Sequence, residues 1–269
     1  MNRGKNKKNA HEGHSAFYQK TLSVLKEQDV PALVGGAFAL DSYTGVKRDT
    51  KDFDLFLRER DLERALDVLR AAGLEGGVEF PHWLAKVREG REAIDLIFRS
   101  GNGLSDVDDS WFERASPGQA LGLDVLLCPP EEILWTKAFI MERERYDGAD
   151  VAHLIRGCAS RLDWDHLVAL FGEHWRVLLS HLILFGFIYP SHRRFVPRRV
   201  LDSLLRKLEL EEDQPPPEER ICRGTLLSRA QYLVDVTDWS YQDARLWPEG
   251  KMTAGEIDHW TDAIDAPDD

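Results

Sequence analysis

The sequence predicts an α/β (α+β) protein, with strands and helices mixed up to about residue 128 and an almost wholly helical half after it. Three observations carry this. Residues 33–57, LVGGAFALDSYTGVKRDTKDFDLFL, read as a short apolar strand, a Gly35-Gly36 turn, a short helix, a basic loop and a second strand. HWLAKVREG and REAIDLIFRS alternate in the manner of paired strands around Glu89-Gly90 turn chemistry. From Glu131 to about residue 209 the apolar residues recur at helical spacing.

The bulk numbers narrow the classes. A chain of 269 residues holds one large domain or two modest ones, and 43% hydrophobic residues supply an ordinary core. A formal net charge of -12 argues against a general nucleic-acid coat or a membrane-surface binder, although a local basic patch can still hold a nucleic acid. Cys128, Cys158 and Cys222 are too few and too scattered for a disulfide framework or a zinc site, so reduced thiols in a cytoplasmic protein are expected. There is no run of about eighteen apolar residues, hence no spanning helix and no membrane are expected. HLILFGFIYP (181–190) is too short to span and reads as a buried helix end. The opening MNRGKNKKNAHEGH is basic and polar, a flexible arm over 1–14 and not a secretory signal.

In chain order, a helix is expected over Ala16 to Gln28, with Phe17, Leu22, Val24 and Leu25 on one side. The first strand enters at Leu33-Val34, and a short helix runs from Gly36 to Tyr43. The basic loop 45–51 leads to the strand DFDLFL, on which Asp52 and Asp54 share a face while Phe53 and Leu55 point away. An amphipathic helix with Leu62, Leu66 and Leu69 stops at Gly73. In the second hairpin strand Ala93, Asp95 and Ile97 share a face, which sets an acid in a hydrophobic strand that needs a partner for it. QALGLDVLLCPPEE reads as one more strand and a proline-led helix start, with Glu131 and Glu132 at the positive end of the helix dipole. Helices are expected over Glu131–Glu144, Asp147–Cys158, Trp164–Phe185 with a break near Gly172, and Pro197–Leu210. EEDQPPPEER (211–220) is an acidic, proline-rich linker, and residues 221–269 form a tail in which Leu226, Leu227, Tyr232, Leu233 and Val234 return to pack on the body, its end from Thr253 fraying. The predicted division is therefore 1–14 arm, 15–128 α/β domain, 129–210 helical domain, 211–220 linker and 221–269 tail.

Two carboxylates side by side on a strand repel, and a divalent cation with oxygen ligands resolves the repulsion. A glycine pair before a helix lets the backbone approach a phosphate and offers it free N–H groups. Each motif has a plain reading as well. With 47 acidic residues in 269, a D-x-D alone reads as a solvated strand face, and a glycine pair alone marks a turn. The combination is more specific: strand, Gly-Gly, helix, a strand with Asp52-Phe53-Asp54, then Asp95 on a third strand.

In that order the chain resembles the nucleotidyltransferase superfamily that includes DNA polymerase beta, the CCA-adding enzymes and the aminoglycoside nucleotidyltransferases. The variant GGxAL…RxTxDxDL is matched by Gly35-Gly36-Ala37-Phe38-Ala39-Leu40 and by Arg48 to Leu55, which is similar to the branch holding the AbiEii and MenT type toxins of toxin–antitoxin systems. That branch also carries a helical lysine, an arginine and D-x-x-D, matched by Lys137, Arg143 or Arg145, and Asp147-Gly148-Ala149-Asp150. The resemblance spans 33 to about 155. It departs from many small relatives, which have serine after the first glycine and a recognisable acceptor module.

The resemblance implies a polymerase beta-like fold, a small mixed sheet flanked by helices and followed by a helical half, and transfer of a nucleoside monophosphate from an NTP with release of pyrophosphate. Asp52, Asp54 and Asp95 would hold Mg2+ (or Mn2+), and Asp95 would help deprotonate the attacking hydroxyl. Gly35 and Gly36 would cradle phosphates. Lys137 would be a point charge for the triphosphate, with Asp150 orienting Lys137 or contacting nucleotide, while Arg48 and Lys51 would steer the triphosphate or an RNA backbone. Plain readings stand beside these: a solvated salt bridge for Lys137, helix caps for Asp147 and Asp150, loop charges for Arg48 and Lys51. Lys86, Arg88, Arg91 and Arg99 beside Asp95 offer a local basic rim. The histidines, among them His166, His174 and His181, show no ligand spacing, and Trp164, Trp175, Trp239, Trp247 and Trp260 read as core and tail anchors. The acceptor implied is RNA or tRNA, a protein or a small molecule, with an antitoxin-like partner in the toxin case. The alternative is a non-catalytic nucleotide-binding regulator or partner protein on the same fold, and the blandest is an unrelated structural α/β protein.

Overall fold

The computed structural model describes residues 16–47 and 52–263. The chain divides into two compact units: the first ends at Pro129, and the second starts at Pro130 and also takes Tyr43–Gly45. Residues 130–263 group as one compact unit. Arg48, Lys51 and the basic arm lie outside the described residues.

The first unit is a seven-stranded mixed sheet with helices. A helix over 16–27 (α1) is followed by β1 (Leu33–Val34), α2 (Gly36–Thr44), β2 (Asp54–Phe56), α3 (Glu59–Ala71), β3 (Glu75–Phe80), β4 (Leu84–Glu89), β5 (Glu92–Ile97), α4 (Asp109–Glu113), β6 (Ser116–Ala120) and β7 (Leu123–Leu127). The strand order is β3-β4-β5-β2-β1-β7-β6. β1 pairs antiparallel with β2 and parallel with β7, and the central β2 pairs parallel with β5. β1 is short and fully apolar because it is covered on both faces; Leu33 and Val34 are buried. α3 buries Leu62, Ala65, Leu66 and Leu69, and Gly73 ends it with φ +82°.

Three stretches differ from expectation. EGGVEF, without apolar alternation, is β3, held as an edge strand by its antiparallel register with β4. QALGLDVLLC is not one strand: β6 and β7 form a hairpin turned at Leu121 (φ 56°) and Gly122 (φ 78°), both left-handed as such a turn requires. The strand read as starting at Asp52 starts at Asp54, so Asp52 lies just before it.

The second unit holds α5 (Pro130–Ala138), α6 (Gly148–Cys158), α7 (Trp164–Phe171), α8 (Trp175–Ile188), α9 (Arg198–Glu212), a two-stranded ribbon of β8 (Ile221–Cys222) and β9 (Gln242–Asp243), α10 (Leu233–Thr237) and α11 (Ala254–Asp262). The break near Gly172 is present, with φ +45°. α5 stops at Ala138, six residues before the expected Glu144, and Asp147 N–H instead donates to Ile140 O. The tail docks on that loop: Met141 N–H donates to Leu227 O and Arg229 N–H to Glu142. Leu226 is buried, but Tyr232 and Val234, expected to pack, are exposed, and so are Trp239 and Trp247. The last stretch is helical over Ala254–Asp262, started by a Thr253–Glu256 capping box, and its expected frayed end lies outside the described residues.

HLILFGFIYP is only half a buried helix end. Leu182 and Phe185 are buried, whereas Ile183, Leu184, Phe187 and Ile188 form an exposed stripe, Phe187 being 82% exposed. Helical spacing divides these residues between two faces, and only one faces the core. Among the described residues Trp164–Ile188 is long and apolar enough to cross a membrane by length and composition, with less than half of it buried. The sequence expectation of no such segment counted uninterrupted apolar runs, whereas α7 and α8 run on through one tight turn.

Candidate functional site

The sheet carries an acidic row. Asp54 opens β2 and stands in register with Asp95 on β5, and Asp95 stands in register with Lys86 on β4. In-register residues of neighbouring strands project from the same face, about 5 Å apart, so Lys86, Asp95 and Asp54 lie side by side across three strands. The chain locks this alignment from both sides: Gly35 N–H donates to Asp54 O (2.9 Å) and Asp95 N–H to Phe53 O (3.0 Å).

The glycine pair serves the same point. Gly35 O accepts the first helical bond of α2 from Ala39 N–H (3.1 Å), so the N–H groups of the first turn, before Ala39, have no intrahelical acceptor. Gly36 has φ +52°, and a methyl group there would overlap the Asp54 carboxylate. A methyl group at Gly35 would overlap the Phe56 ring. Both glycines are therefore required by close approach, and what approaches Gly36 is an acid.

Burial raises the Asp95 carboxyl above its ordinary range; Lys86 works against the rise, and Asp52 and Glu79 add to it. Tyr18, buried on α1 and stacked on Phe53 at 4.7 Å between ring centroids, reports the same concentration of charge. Its hydroxyl is pushed up to about 12 by burial and by Glu92, Asp52, Asp54 and Asp95. Sequence reading missed Tyr18, because nothing local ties a helix near the N-terminus to the acids of β2 and β5.

The donor set, carboxylate oxygens without cysteine or histidine, fits a hard divalent cation such as Mg2+ or Mn2+. The side chains do not close around one: among the described residues no group of three or more His, Cys, Asp and Glu is gathered so as to hold a metal ion. Asp95 is instead paired to Lys86, with Nζ 3.4 Å from Oδ1. Of the other residues of the expected basic rim, Arg88 is paired to Glu79 and Arg99 to Asp106 and Glu59.

The remaining expected residues gather in the second unit. Lys137, on α5, lies 2.8 Å from Asp150 Oδ2 and 3.0 Å from Asp147 Oδ2. Of the two candidate arginines, Arg145 joins them, donating to both Asp147 oxygens, while Arg143 pairs with exposed Glu144. Burial works against ionisation of Asp147, yet Arg145 and Lys137 hold its carboxyl below the usual range. The Asp147 cap read from sequence is absent as a side-chain bond; the carboxylate goes to the cations. Beside this cluster, Glu131 accepts from Asp163 N–H (2.7 Å) and buried Glu132 meets His166 Nε2 (2.8 Å). His181 is a core histidine on Ala138 O.

No protein-family model and no curated protein sequence matches the chain. Among solved structures it is similar to the antibiotic-resistance factor ANT(2'')-Ia in solution, at 18% identity over 63% of this chain and 97% of that one, with a TM-score of 0.47. It is also similar to the lincosamide antibiotic adenylyltransferase LnuA with lincomycin bound, at 15% identity over 52% and 94%, TM-score 0.39. A third is JHP933 from Helicobacter pylori, at 13% identity over 74% and 94%, TM-score 0.37.

Proposed function

We propose that the chain is a nucleotidyltransferase: an acceptor hydroxyl oxygen bonds to the α-phosphorus of an NTP, the bond to the bridging oxygen breaks, and pyrophosphate leaves. The single observation that carries this reading is the fit of the Asp54 carboxylate against Gly36, in register with Asp95. A phosphate-binding helix start and a pair of acids are otherwise costly to place side by side, since carboxylates repel the anion that the helix start attracts.

Asp52, Asp54 and Asp95 are the residues that would hold Mg2+ or Mn2+. Bound there, the cation would neutralise the charge between carboxylates and triphosphate oxygens. The first turn of α2 receives phosphate oxygens on its N–H groups. Asp95, half-buried and with its carboxyl raised, is suited to take up the hydroxyl proton. The sequence resemblance to the AbiEii and MenT type toxins favours RNA, tRNA among them, as the first acceptor to try, and a neighbouring antitoxin-like partner. The test is incubation with each labelled NTP, Mg2+ and total RNA or lysate. Transfer in the wild type and none in Asp54→Ala is the expected result; undiminished transfer by the variant overturns the assignment.

A second reading, a nucleotide-binding regulator without turnover, is favoured by the Lys86–Asp95 pair and by the open disposition of the acids. Calorimetry with each NTP, with and without Mg2+, separates the two: tight binding with no pyrophosphate released over hours supports the regulator.

A further inference from the structure

The acidic row on β2 and β5 ends in a cation. Lys86 is cross-strand from Asp95, each side chain only about a quarter exposed, at 28% and 22%. The Nζ–Oδ1 separation of 3.4 Å is long beside the roughly 2.7–2.9 Å of a strong charge-assisted bond. A magnesium ion approaches a carboxylate oxygen to about 2.0–2.1 Å and carries twice the charge. The Lys86 ammonium therefore holds Asp95 by a contact that a divalent cation can outcompete. Arg88, two residues along the same strand, is committed to Glu79 and serves as the natural control.

We propose that Lys86 is a positioning residue that competes with the divalent cation for Asp95. While paired, it turns the Asp95 carboxylate toward β4 and keeps the acids from gathering. Release of the pair accompanies cation binding and leaves a free ammonium beside the site, suited to the phosphates of an incoming nucleoside triphosphate. This rests on the reading of Asp52, Asp54 and Asp95 as cation ligands.

The experiment is Mn2+ titration of the full chain, followed by the electron paramagnetic resonance signal of free Mn2+ and by calorimetry, without nucleotide. Lys86→Met is expected to bind Mn2+ about five-fold more tightly than wild type, the upper worth of a partly exposed ion pair. Lys86→Arg is expected to restore the wild-type affinity, Arg88→Met to stay within about two-fold of it, and the gain to vanish when Lys86→Met is combined with Asp95→Asn. Unchanged or weaker binding by Lys86→Met, with Asp95→Asn still losing affinity, overturns the competition and leaves the cation site standing. An equal gain in Arg88→Met also overturns it, because the effect is then net charge alone. Mn2+ affinity insensitive to both Asp54→Asn and Asp95→Asn removes the cation reading, and the inference with it.

Discussion

Each unit has a lysine among aspartates, and the two lysines are held differently. In the first, Lys86 faces Asp95 in a row that also holds Asp54, while Asp52 and Glu79 act on Asp95 from nearby. In the second, Lys137 and Arg145 face Asp147 and Asp150, two cations for two anions, with Asp150 buried and every contact between 2.8 and 3.2 Å. The Lys86–Asp95 pair is long and partly exposed; the Lys137 contacts are short and buried. A loosely held, partly exposed carboxylate can exchange its partner for an exogenous cation, whereas removing one partner of a buried pair leaves an uncompensated charge.

The strongest way to break this contrast is to remove one acid from each side. Asp54→Ala is expected to lower nucleotidyl transfer by roughly a thousand-fold or more, about 4 kcal/mol of transition-state stabilisation, while the thermal midpoint holds or rises as repulsion is relieved. Transfer kinetics and a melting curve on the same preparation check both halves. Lys137→Met is the counterpart: it leaves Asp150 buried against no ammonium and is expected to cost about 3–5 kcal/mol in urea unfolding. A mild effect there would mean that the second cluster is not the brace its geometry describes.

Gly36→Ala probes the first cluster through the backbone. The φ of +52° and the collision with Asp54 together should cost about 1–3 kcal/mol and displace the carboxylate. Mn2+ binding should weaken in parallel, which plain destabilisation of the folded state would not produce at a temperature where the protein stays folded.

The acid pair Asp95 and Asp147 should respond to pH with opposite signs. Asp147 has its folded value lowered, so its contribution to stability is present above the unfolded value and lost as pH falls through the folded one. Asp95 has its folded value raised, so its contribution is full below the unfolded value and lost as pH rises through the folded one. At neutral pH, Asp147→Asn should therefore destabilise and Asp95→Asn should stabilise. Both differences should shrink in acid, as read from urea midpoints at a series of pH values.

The sequence made much of the first cluster visible and less of the rest, for physical reasons. Alternation along a strand is local, so Asp95 could be placed on a face without any knowledge of its neighbours. Register is not local: that Asp54 faces Asp95, and Asp95 faces Lys86, depends on the order β4-β5-β2, which no residue in those strands encodes alone. The Gly35-Gly36 turn was legible, but its reason, the Asp54 carboxylate against Gly36, was not. β3 was hidden because Gly76 and Gly77 suppress strand propensity and only the β4 edge recruits them. The β6–β7 hairpin was hidden because Leu121 occupies a left-handed position usually marked by glycine or asparagine. In the second unit, the helical period located α8 but not which of its two apolar sides meets the core, so the exposure of Phe187 was not foreseen.

The smallest expected effect sharpens the comparison most, because it sets like against like. Lys86→Met removes the same charge as Lys137→Met, also from a lysine facing aspartate. The first pair is partly exposed and 3.4 Å long; the second lysine is 13% exposed, its partner Asp150 2%, and the contact is 2.8 Å. Solvent screening limits a pair like the first to under about 1 kcal/mol, so urea unfolding of Lys86→Met should nearly overlay wild type. The substitution also leaves Asp95 beside Asp52 without its ammonium, a repulsion that grows as salt is removed. Any loss of stability should therefore be largest at low ionic strength and fade at high salt. A salt-independent loss as large as that of Lys137→Met would show that Lys86 is a brace as well, and the difference between the clusters would then lie in their acids alone.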